Sequence, residues 1–115
     1  MAREYLGGLD ISQDATWLTI TSDVLKDQRS TADAAAVLAS GLFFSDITLN
    51  TTHATQTLFV ALGAVGNAAA TTHRIPIGPG ASRTIDCRDS SVSTIRVIGS
   101  DAATTGYLLA TLVAR

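Results

Sequence analysis

Arg74-Ile-Pro-Ile-Gly-Pro-Gly-Ala-Ser-Arg-Thr-Ile-Asp86 is the stretch whose reading decides the fold. Two short extended segments flank a turn in it. Pro79 fixes φ near the value needed at the second position of a turn, and Gly80 accepts the positive φ that a type II turn requires at the third. Pro76 keeps residues 74–77 extended and argues against helix. Lacking an N–H, it also confines that segment to a sheet edge or a strand end.

Strand-like patterns extend from this turn in both directions. Residues 82–87 carry Ile85 and Cys87 on one face, and residues 92–98 alternate Val92, Thr94, Arg96 and Ile98 against Ser93, Ile95 and Val97. Residues 106–113 are apolar on both faces, Leu108, Ala110 and Leu112 opposite Leu109 and Val113. Upstream, residues 56–62 are also apolar on both faces, which suits an interior strand. Residues 42–50 carry Phe43, Phe44, Ile47 and Leu49, and residues 63–72 read as a small-residue loop. Residues 15–21 form a first strand, with Leu18 and Ile20 on one face and Trp17 on the other; either face could be the core.

Residues 30–40 hold the one helix pattern: Ser30 as N-cap, Asp33 in a capping-box-like place, a run of alanines, and Gly41 as the stop. Residues 1–14 lack sustained periodicity but contain Tyr5, Leu6, Leu9 and Ile11, too apolar for a floppy tail. They read as an N-terminal arm docked on something, ahead of one β-sandwich domain over residues 15–115. About seven strands at roughly ten-residue spacing predict a mainly all-β chain: an antiparallel β-sandwich, jelly-roll-like, or a barrel. It carries one short helix and an N-terminal arm.

Composition narrows the function. With 115 residues and 46 % apolar content, the chain suits a single core. It holds one lysine, Lys26, and one glutamate, Glu4. Free-standing domains usually spread both over their surfaces, and mean hydropathy is positive at +0.28. Together these point to surface covered by other subunits. A net charge of −2 supplies no electrostatic footprint for nucleic acid. Residues 58–70 are too short and too interrupted to span a bilayer, and residues 1–8 carry no signal-peptide core.

The candidate chemistry is sparse. His53 and His73 lack a ligand spacing that would recruit Cys87 or Asp86 to a metal. Cys87 could pair with His73 as a nucleophile, since the two flank the same hairpin around the Pro79-Gly80 turn, but its place beside Ile85 on an alternating strand favours a buried, inert thiol. Asp86 and Asp89 read as strand-end and turn residues, and the 63–66 segment lacks what a phosphate loop requires. The expectation is a chain that is not an enzyme, with no metal, no cofactor and no small-molecule substrate.

The run DITLNTT…QTLFVALG…HRIPIGPGASRTIDC…VSTIRVIGS…GYLLATLV, over residues 46–113, resembles the small β-sandwich proteins of tailed-phage virions. Its most distinctive parts are Ile75-Pro-Ile-Gly-Pro-Gly-Ala-Ser82 and Ile95-Arg-Val-Ile-Gly-Ser100; Ala81 stands where such proteins often have glutamate before the serine. The resemblance implies a virion structural component assembled in the host cytoplasm, most simply a capsid decoration or cement protein. Its partner would be the major capsid protein or another virion protein, and it would be a homo-oligomer, with a trimer favoured. A tail, neck or fibre piece, including a carbohydrate- or receptor-binding sandwich module, is the alternative. The expected interface residues are Tyr5, Leu6, Leu9, Ile11, Trp17, Leu109 and Val113.

Overall fold

Strand formation follows the alternation in the sequence, and the pairing decides which strands meet. The computed structural model describes residues 4–29, 36–62, 74–87 and 92–114. Among these residues there are nine strands: β1 Glu4–Gln13, β2 Leu18–Thr21, β3 Lys26–Asp27, β4 Phe43–Thr51, β5 Leu58–Leu62, β6 Ile75–Ile77, β7 Ser82–Asp86, β8 Thr94–Gly99 and β9 Thr104–Val113. A single 3-10 turn, Ser22–Val24, interrupts them. All strand pairs are antiparallel. They form a five-stranded sheet A, ordered β3-β1-β9-β4-β7, and a four-stranded sheet B, ordered β2-β8-β5-β6. With the two-residue β3 set aside, every connection except β5 to β6 passes from one sheet to the other. This is the winding of a jelly roll.

Three expectations are corrected here. Residues 4–13 are not an arm: β1 pairs along its full length with β9, from Glu4↔Val113 to Gln13↔Thr104. Its apolar residues are spaced by two, and Gly7-Gly8 blurs an alternation that the pairing makes plain. The helix expected over residues 30–40 is absent from the part described. Val37 bridges Lys26 in antiparallel fashion, with Asp27 N–H donating to Ala36 O at 2.8 Å and Leu38 N–H to Leu25 O at 2.9 Å. Alanine-rich segments have high helix propensity, but that advantage is small beside burying Leu38, which is 6 % exposed. Residues 30–35, the 63–72 loop, His73 and Asp89 lie outside the described residues.

The third correction concerns the Pro79-Gly80 turn. Ala81 N–H donates to Gly78 O at 3.0 Å and Gly80 has φ 70°, as a type II turn requires. Its two limbs do not pair with each other, however. β6 joins β5 in sheet B while β7 joins β4 in sheet A, so the turn is an arch between layers. Buried Thr51 ties both limbs: its N–H donates to Ala81 O at 2.9 Å and its hydroxyl to Ile77 O at 2.8 Å. Pro76 does lie on an edge strand, as its missing N–H demands.

The core lies between the sheets. Phe44, Ile47, Leu49, Leu108 and Leu112 of sheet A meet Ile20, Leu58, Val60, Ile95 and Val97 of sheet B, all at 0 % exposure. Leu25, Leu38 and Leu42 close one side. At Ser45 the β4–β9 register shifts by a bulge, which lets Phe44 and Ile47, three apart, both point inward.

Candidate assembly surface

Directly opposed residues of an antiparallel pair point to the same side, so register assigns each side chain to a face. On the outer face of sheet A, Leu6 stands opposite Thr111, Gly8 opposite Leu109, and Glu4 and Phe43 flank Val113. Leu6, Leu109, Val113 and Phe43 therefore form one apolar stripe along β1, β9 and β4. All four are half-buried. β9 alternates buried and half-buried residues along its whole length, because both of its faces are apolar and it runs between β1 and β4.

The expected interface residues divide by face. Leu6, Leu109 and Val113 come together on the stripe. Tyr5 and Leu9 point the other way and pack against the core. Ile11, 3 % exposed, is a core residue and is corrected as a contact site. Trp17 precedes β2 and is half-buried, with the Arg96 guanidinium 4.7 Å from its ring centroid. Arg96 itself is only 8 % exposed. Phe59 is capped in the same way by Arg74 at 4.0 Å. Both of these aromatic rings, which belong to the sheet B side, thus have a face occupied by an arginine of the same chain.

Phe43 joined the stripe without being expected there. Strict alternation back from Asp46 would point Phe43 inward and Phe44 outward; the bulge at Ser45 reverses that, and nothing in the residue types announces it. Beside the stripe, Gly8, Leu9, Asp10, Lys26, Gln28 and Tyr107 line an open groove of about 380 Å³. The Tyr107 side chain reaches over Gly8, where any Cβ would collide with its hydroxyl. Lys26, unique in the sequence, was the one available signal for this groove.

Of the candidate catalytic groups, Cys87, Asp86 and His53 lie among the described residues. Cys87 is 2 % exposed, and its thiol is pushed up by burial, with Asp86 and Asp46 adding to the shift. A neutral, enclosed thiol is a poor nucleophile. His53 Nδ1 accepts the backbone N–H of Thr55 at 3.1 Å and of Gln56 at 3.0 Å, so this nitrogen organises a turn. No group of three or more metal-ligating side chains occurs among the described residues. Nor is any helix among them long and apolar enough to cross a membrane.

No protein-family model and no curated protein matches the chain. Among solved structures, it is similar to one from the disulfide-linked pili formed by Bacillus endospore appendages, with TM-score 0.66 and 18 % identity over 97 % of this chain and 86 % of that one. At that identity the likeness concerns the fold alone. The Tobacco streak virus coat protein follows at TM-score 0.47 and 12 % identity, over 95 % and 85 % of the two chains. The capsid asymmetric unit of cyanophage Pam1 has TM-score 0.35 and 16 % identity, over 99 % and 85 %. Backbones that diverge this far carry no functional argument.

Proposed function

We propose that the protein is a non-enzymatic structural subunit acting through protein–protein contacts, as a capsid decoration or cement protein of a phage virion. The observation that carries the structural role is the apolar stripe of Leu6, Phe43, Leu109 and Val113 on the outer face of a sandwich whose core is already complete without it. Contiguous apolar surface of this kind marks an interaction site more often than a catalytic one. The resemblance of residues 46–113 to small virion sandwiches supplies the setting. Cementing works by bridging neighbouring capsomers, where many copies make each modest contact effective. In this reading the partner is the major capsid protein and the protein itself forms a homo-oligomer, a trimer in the simplest arrangement.

A tail, neck or fibre location is the second reading, and one feature favours it. β7 is an edge strand without proline, whereas Pro76 closes the edge of sheet B at β6. An edge strand that keeps all its N–H groups suits strand-to-strand growth between subunits. A sugar-binding module is disfavoured, because Trp17 and Phe59 already stack on Arg96 and Arg74.

Light scattering after size exclusion, followed by co-sedimentation with capsids lacking the protein, tests the proposal. The expected result is an oligomer that sediments with capsids and a Leu109→Asp variant that stays folded but remains in the supernatant. A monomer that ignores capsids and is retained on a glycan array overturns it.

A further inference from the structure

Cys87 N–H donates to Ser45 O and Thr51 N–H to Ala81 O, both at 2.9 Å, so the odd-numbered residues from Ala81 to Cys87 are those that bond β4. In an antiparallel pair the residues between them turn their N–H and C=O groups the other way. The Thr48 and Thr84 hydroxyls, 2.9 Å apart, fit the close approach of such a non-hydrogen-bonded pair. Ser82 and Thr84 therefore present their backbone donors and acceptors on the side away from β4. No further strand lies there among the described residues, and Ser82, Arg83 and Thr84 are all exposed.

Arg83 decides what can pair with that edge. It stands opposite Leu49, which is 0 % exposed, so the register puts it on the core-side face of the sheet. Its guanidinium has no carboxylate or ring partner among the described residues. A charge pointing inward on an edge strand discourages indiscriminate pairing. Two β7 edges joined antiparallel through Ser82 and Thr84 would set Arg83 opposite or diagonal to its own copy, like charge against like. We propose that β7 instead receives an extended segment of a different protein as an added strand of sheet A, with a carboxylate facing Arg83 and an aliphatic residue facing Ile85. The position facing Arg83 on that edge is a non-hydrogen-bonded one, where opposed side chains come closest and an ion pair forms readily. Ile85, 9 % exposed, lies on the same face, and an aliphatic neighbour there extends the core. Backbone bonds give such a segment affinity, and its alternate side chains give selectivity. The inference deepens the structural role proposed above and rests on it for its biological setting.

The test titrates the isotopically labelled, full-length protein with the peptide Thr-Val-Thr-Glu-Thr-Val-Thr and follows amide chemical shifts. One control peptide has lysine in place of the glutamate. A second is N-methylated at the threonines beside the glutamate, which removes the N–H groups that would bond Ser82 and Thr84. The expected shifts centre on Ser82, Arg83 and Thr84 and are absent with the N-methylated peptide. Affinity falls about tenfold or more with the lysine peptide, and likewise in Arg83→Ala. Arg83→Glu, at an exposed position where the melting temperature should hold, reverses the preference between the glutamate and lysine peptides. Shifts centred elsewhere, no shifts at all, equal binding of the N-methylated peptide, or an Arg83→Glu variant that keeps the original preference would overturn the proposal. So would self-association of the wild-type protein through β7 on simple concentration. Co-sedimentation with capsids together with a failed titration removes this inference alone; a positive titration without capsid binding removes the virion setting and leaves the edge site standing.

Discussion

Thr51 shows how one side chain holds the two layers in register. Its backbone N–H and its hydroxyl grip opposite limbs of the arch, at Ala81 and Ile77, and the residue is fully buried. Thr51→Val keeps the shape but leaves the Ile77 carbonyl without that donor, and a cost of about 1–3 kcal/mol is expected from urea denaturation. Cys87 offers a second residue-level test. Burial raises its folded pKa above the unfolded value, so in the alkaline range the native state holds a proton that the unfolded chain gives up. The stability contributed by the neutral thiol is complete below about pH 8.5 and is lost as pH rises through the folded pKa. Cys87→Ala should flatten that alkaline decline in melting experiments, and the wild-type thiol should react with iodoacetamide slowly until the protein is unfolded. Pro76, Pro79 and Gly80 were legible at this scale, because each restricts the backbone through its own covalent structure. The face occupied by Phe43 was not, since the bulge at Ser45 is set by how β4 meets β9.

At the scale of elements, β1 matters most. It lies between β3 and β9 in sheet A, so deleting residues 1–11 takes out most of an inner strand and exposes one side of β9. The truncated chain is expected to lose its cooperative thermal transition and most of its sheet signal in circular dichroism. A detachable arm would leave both unchanged. β5 and β9 were readable as interior strands because both their faces are apolar, and each has two neighbours in the sheet. β1 was obscured by its glycines. The segment around Val37 was obscured by alanines, whose helical preference yields to a bridge with Lys26.

For the whole molecule, the first strand pairs with the last, so the chain cannot close sheet A until both ends are present. A chain ending at residue 103 should remain unfolded at every temperature tested by circular dichroism. The intact protein should refold in milliseconds to seconds rather than microseconds, as measured by stopped-flow fluorescence of Trp17, because non-local pairing pays loop-closure entropy first. The apolar stripe on the outer face of sheet A exists only at this scale. Leu6, Phe43 and Leu109 are far apart in sequence and come onto one face through the pairing of β9 with β1 and β4.

Alternation and the two prolines alone established an antiparallel all-β chain with a type II turn after Ile77 and an edge segment at Pro76. These are local consequences of side-chain period and backbone restriction, and they need no partner strand to be visible. Which strands pair, that the turn crosses between layers, and which apolar residues remain on the outside were decided only by tertiary structure. Each depends on register, and a shift of one residue exchanges the faces of a whole strand.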